Sequence, residues 1–204
     1  INFKASIMGS AIRLSENKNE KISRSIVIGV CATCDPRVDE DSRIRTQNIV
    51  EMIADHLQTN VYTPSDDKVR VVWTPILIYS ETDADTVARQ FKEEGVSIIV
   101  CTPDTWAFPQ LTLMSLMTHF PIETPLNITC GNSAPKPGVV FAQAVNGAFA
   151  QQGRLTHLNI GNWDDRGLRP AITPATLQNL VDWAFAAVTY GGLKGRRVVC
   201  FGHD

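Results

Sequence analysis

The chain has 204 residues, room for one large domain, with 44% apolar and 20% charged side chains, as in a globular protein with a real core. Nineteen basic against 21 acidic residues leave a net charge of −2, which argues against nucleic acid or an anionic membrane as the main partner. No apolar run approaches the ~20 residues that span a bilayer, and with no signal-peptide core at the N-terminus the expected location is the cytoplasm.

Residues 1–24 carry five basic and two acidic side chains without a clean apolar period, and are read as an N-terminal arm or poorly ordered tail. The main domain is expected over 25–193. It opens with a continuous β-branched run from Ser25 to Ala32, the form of a strand buried on both faces. A polar loop, Asp35 to Asp41, leads into a helix whose apolar stripe is Ile49, Ile53 and Leu57, flanked by Val50 and Ala54.

The same unit recurs. Val69 to Ile78 reads as a strand, with Pro75 arguing for an edge position or a bend. Asp83 to Glu94 is an amphipathic helix ended by Gly95, and Val96 to Cys101 is a second fully buried strand. Leu111 to Phe120 forms a short helix, Pro125 to Cys130 a strand, and Pro137-Gly138 opens a helix that ends at Gly153. Leu155 to Ile160 is the last strand of the set. Thr173-Pro174 pairs an N-cap with proline at the first helical position of a helix reaching about Tyr190.

Strands alternating with helices imply right-handed crossovers and an α/β fold: a doubly wound, mostly parallel sheet with helices on both faces, flavodoxin-like or Rossmann-like. After the break at Gly191 to Gly195, the run Arg196 to Phe201 reads as a further strand. Residues 194–204 are therefore expected to begin a following, truncated domain.

Ligands of such sheets gather at the carboxyl ends of the strands, around the point where strand order reverses. Three loops are expected there: Cys34 to Asp41, Thr102 to Pro109 and Gly131 to Gly138. None carries G-x-G-x-x-G or G-x-x-x-x-G-K-[ST], so a nucleotide site lacks its diagnostic glycines. Arg37 follows the first strand, either reaching into the crevice with its fork of donors or pairing with Asp35, Asp39, Glu40 or Asp41. The acidic run is a candidate cation site, with helix capping and solvation as its simpler role. Trp106 offers a flat apolar face and one N–H to a sugar or an aromatic ligand, or else packs on a helix or a neighbouring subunit. Trp163 is a similar case, whereas Trp73 and Trp183 sit in periodic apolar runs and are expected in the core.

Five cysteines, an odd number, do not make a disulfide framework. Cys31-Ala-Thr-Cys34 matches C-x-x-C without a second half of a zinc site, so core and loop thiols are expected. His56, His119 and His157 are read as structural, and the sequon at Asn127 lies in an expected buried strand. No catalytic set assembles from this chain.

Taken in order, several short motifs make the chain similar to the N-terminal domain of the L-fucose isomerase family. They are Ile28-Gly-Val, Asp35-Pro-Arg37, Val100-Cys-Thr-Pro-Asp-Thr-Trp106, Pro137-Gly-Val-Val-Phe-Ala142, Gln152-Gly153 and Gly195-Arg-Arg-Val-Val-Cys-Phe-Gly202. The resemblance implies a ketol isomerase interconverting L-fucose and L-fuculose, and D-arabinose and D-ribulose, through an ene-diol. It implies a manganese ion whose ligands lie outside this chain, and a homohexamer with active sites between subunits. It also implies that Arg37 and Trp106 are lent to a neighbour's substrate pocket, and that the isolated chain is inactive. The form of the Trp106 loop departs from the family's glycine-rich, Ser-Glu-containing one. The alternatives are a sugar-binding or regulatory domain without catalysis, and a flavodoxin-like or CheY-like module with Asp35 as the acceptor.

Overall fold

The computed structural model describes residues 26–131, 136–163 and 167–196. The expected arm over 1–24, the expected strand from Arg196 to Phe201 beyond its first residue, and part of the Gly131 to Gly138 loop lie outside these residues.

The sheet has five strands: β1 (Val27–Thr33), β2 (Arg70–Ile78), β3 (Ile98–Cys101), β4 (Leu126–Gly131) and β5 (Thr156–Gly161). All pair in parallel, in the order β2-β1-β3-β4-β5. That is the flavodoxin-like order, with strand order reversing between β1 and β3. The helices are α1 (Glu40–Asn60), α2 (Glu81–Glu93), α3 (Leu113–Thr118), α4 (Gly138–Gln151) and α5 (Pro174–Leu193). The chain moves one way from β1 to β2 and the other way through β3, β4 and β5. Right-handed crossovers therefore place α1 opposite α2, α3 and α4. The packing follows: α1 lies against α5, and α2 and α4 each against α3. The doubly wound expectation holds.

All seven residues of β1 are buried, as its unbroken β-branched run requires of a central strand covered on both faces. The stripe Ile49, Val50, Ile53, Ala54 and Leu57 is buried along α1. β2 is an edge strand, and its pairing slips around Pro75: Val30 pairs with Trp73 but Ala32 with Leu77. Proline cannot donate to a ladder, and an irregular edge blocks pairing with other chains. Edge position also corrects the reading of Trp73, which is 38% exposed rather than in the core. α2 is entered through Ser80, which accepts from the Asp83 amide while Asp83 accepts from the Tyr79 amide and the Ser80 hydroxyl. It is left through Gly95, whose φ of 73° suits glycine.

Three expectations shift at element ends. The helix after β3 is shortened to α3 by a 3₁₀ turn over Pro109–Leu111. β5 starts at Thr156, leaving Leu155 outside it. Thr173 stands at the N-cap of α5 without capping it through its side chain; its hydroxyl instead meets that of Thr176 at 2.8 Å.

Candidate functional site: a wall at the strand-order reversal

The ends of β1 and β3 lie side by side, and the loops leaving them form one packed surface. The Thr102 amide donates to the Cys31 carbonyl at 2.9 Å, carrying the β1–β3 ladder past the last paired residues. Beyond it the two loops are joined through side chains.

In the first loop Asp35 is nearly buried, and it gathers Arg37 on itself. Its carboxylate accepts from the Arg37 amide at 2.9 Å, from Nε at 2.9 Å and from the terminal guanidinium nitrogen at 2.7 Å. These bonds, the side-chain ones first, hold the Asp35 carboxyl below the ordinary carboxylate range against the opposing effect of burial. The same pairing raises the Arg37 pKa. Arg37 thus pairs with Asp35, as its simpler reading expected, yet its side chain stays 71% exposed. Its guanidinium lies over the Phe108 ring, 5.6 Å from the centroid, so it rests on the second loop.

The second loop is built around a buried ion pair. Asp104 accepts from Arg45 Nε at 2.8 Å, and both side chains are only 2% exposed. The other carboxylate oxygen accepts from the indole N–H of Trp163 at 3.2 Å. Arg45 also donates to the Gly167 carbonyl at 2.9 Å. One carboxylate therefore ties the Trp106 loop to α1 and to the segment after β5. Two glycines permit the approach. A Cβ on Gly138 would come within 2.4 Å of the Pro103 carbonyl oxygen, and one on Gly131 within 2.1 Å of the Trp163 indole. Lys136 adds a bond from the β4–α4 loop to Ser42 Oγ at 3.0 Å.

Trp106 is half-buried, with its ring edge-on to Phe141 of α4 at 6.2 Å. It packs on a helix, as one of its two readings expected, and keeps exposed surface. Trp163 does not. It is 3% exposed and serves Asp104, so it offers no face to a ligand. Trp183 is partly buried and stacks on His157.

The acidic run divides its labour. Asp39 caps α1, accepting from the Ser42 amide at 2.8 Å, and Ser42 draws its pKa down. Glu40 reaches Arg43. Among the described residues no three His, Cys, Asp or Glu side chains gather as a metal site, and the carboxylates of the wall already serve arginines. The donor set here does not fit a manganese ion.

The C-x-x-C cysteines are split. Cys31 is paired in register with Cys101, whose thiol contact, with burial, pushes the Cys31 pKa well up. Cys34 faces the Thr105 hydroxyl at 3.5 Å, and its pKa is raised by burial. All four described cysteines are buried free thiols. His119 pairs with Asp85, His56 meets Asn60 and His157 meets Asn127, so each described histidine has a structural partner.

Arg45 and Asp104 were not among the sequence candidates. Arg45 carried a signal: it stands four residues before Ile49 in the buried stripe, where a charge demands a partner. Nothing in the loop marked Asp104 as that partner.

The topology and the wall define an α/β domain of flavodoxin-like order with a fixed strand-end surface bearing an exposed arginine and a half-exposed tryptophan. Residues 25–195 match the family model described as L-fucose isomerase, first N-terminal domain, and the chain belongs to that family. It is 26% identical over 179 residues to an L-fucose isomerase of Phocaeicola vulgatus, and 24% identical over 178 residues to one of Streptococcus pneumoniae. Each match covers 86% of this chain and 29% of the relative, so the chain spans less than a third of the length of these curated relatives. The family expected from the short motifs is the one found.

Proposed function

We propose that this chain is the N-terminal domain, over 25–193, of a cytoplasmic aldose–ketose isomerase that interconverts L-fucose and L-fuculose, and D-arabinose and D-ribulose. In this reading Arg37 and Trp106 form one wall of a monosaccharide pocket completed by another copy in a homohexamer, and a manganese ion is held by parts of the enzyme outside this chain. The family match supports the reaction class; the free state of the described cysteines supports a reducing compartment.

The observation that carries the role of the wall is the junction of the Arg37 and Trp106 loops at the strand-order reversal, where open α/β sheets take their ligands. Arg37 orients. Of the guanidinium's five N–H donors, Asp35 takes Nε–H and one terminal N–H, and the others stay free of it for sugar hydroxyls. Trp106 excludes water from one side of the sugar and stacks on its C–H face. Proton transfer between C1 and C2 is left to groups outside this chain.

The test is an isomerase assay on the full-length enzyme with manganese, using L-fucose and D-arabinose. Arg37→Ala and Trp106→Ala are each expected to raise KM about tenfold, the scale of a lost charged hydrogen bond or stacking contact. The 204-residue chain alone should show no turnover. Turnover by this chain alone, or KM unchanged in both variants, refutes the assignment.

A further inference from the structure

The Asp35 amide, at the head of the Arg37 loop, donates to Thr105 Oγ1 at 3.1 Å. Thr105 is the residue before Trp106, and its hydroxyl lies 3.0 Å from the Trp106 carbonyl and 3.5 Å from Cys34 Sγ, both acceptors for its single proton. Thr105 is 3% exposed, so no water competes for these bonds. One buried hydroxyl therefore accepts from the backbone that presents Arg37 and lies against the backbone that presents Trp106. The ion pair of Asp104 fixes the second loop to the body of the domain. Among the described residues, Thr105 and the Phe108 ring under Arg37 tie the two loops to each other.

We propose that Thr105 is a positioning residue that sets the spacing between the Arg37 guanidinium and the Trp106 indole, and so the sugar that fits between them. This rests on the reading of those two residues as a substrate wall. Thr105 touches no substrate itself. Its hydroxyl fixes where the arginine's donors stand relative to the plane on which the sugar stacks.

Thr105→Val keeps the shape of the side chain and removes the hydroxyl; Thr105→Ser keeps the hydroxyl. In the full-length enzyme, Thr105→Val is expected to raise KM for L-fucose about fivefold, the weight of one hydrogen bond, with kcat changed less than about twofold. Thr105→Ser is expected to restore KM. Added to Arg37→Ala, Thr105→Val should raise KM no further, because no guanidinium remains to be placed. A merely structural role would instead give the same factor in both backgrounds, and that result overturns the proposal, as does an unchanged KM in Thr105→Val. If Arg37→Ala and Trp106→Ala themselves leave KM unchanged, the wall falls and this inference with it; if they raise it and Thr105→Val does not, only the inference falls. Amide exchange on the unmodified protein needs no variant to fold. The Asp35 N–H is expected to be protected, and exchange at the rate of an exposed loop amide overturns the bridge.

Discussion

Replacing Asp104 by alanine strikes a carboxylate that holds the Trp106 loop to the rest of the domain. Two losses follow. Arg45, 2% exposed, loses the Asp104 carboxylate, and the buried Trp163 N–H loses its acceptor. Breaking a buried pair from one side costs about 3–5 kcal/mol. Domains of this kind have about 5–15 kcal/mol in total, so Asp104→Ala should lose a large share of its stability. Its Tm should fall by about 6–20 °C, at ~2–4 °C per kcal/mol. Urea unfolding followed by far-UV circular dichroism measures the loss without depending on Trp163 fluorescence. The double variant Arg45→Met with Asp104→Leu should recover at least half of it, because apolar side chains of similar volume replace both charges. A loss below about 1 kcal/mol in Asp104→Ala would refute the view that this pair anchors the loop.

The Gly138→Ala variant should lose about 1–3 kcal/mol, because its methyl would press on the Pro103 carbonyl oxygen; an unchanged urea midpoint refutes the close approach. His157 stands exposed on β5 with its ring stacked on Trp183, and partial desolvation lowers its pKa from the ordinary value. The folded state then binds fewer protons than the unfolded one between the two pKa values. Its contribution is complete above pH ~6.5 and is lost as the pH falls below that. His157→Gln should therefore flatten the decline of the urea midpoint between pH 7 and 5, and identical slopes refute it. Burial pushes the Cys130 pKa up to about 12, and Cys31 and Cys34 are likewise raised. In a Cys200→Ser background a thiol reagent at pH 8 should label the native chain only at its unfolding rate; rapid native labelling refutes the buried assignment.

Much of the fold was legible because each strand and helix declares itself locally. β1 is an unbroken buried run rich in β-branched residues, and the α1 stripe repeats at helical spacing. Pro75 in β2 announces an edge. What failed locally was decided by neighbours. Trp73 sits in an apolar run but on an edge strand, so periodicity overstated its burial. Trp163 resembles a ligand platform in sequence and is a buried donor in space, because Asp104, 59 residues away, takes its N–H. Arg37 and Trp106 were legible as strand-end residues. The bond between their loops was not, since the Asp35–Thr105 contact spans 70 residues and rests on a backbone amide that has no sequence signature.

Every bond that holds the Trp106 loop named above comes from within this domain: Arg45 below, Trp163 beside, Gly138 behind, Thr105 across. An arriving ligand therefore has little loop freedom left to quench, sparing about 0.5–1.5 kcal/mol for each side chain it would otherwise have immobilised. The same stiffness removes forgiveness. If the proposed sugar wall is right, an epimer with one hydroxyl turned the wrong way would not draw the indole or the guanidinium after it, and discrimination would fall on the shape of the sugar rather than on the adaptability of the protein.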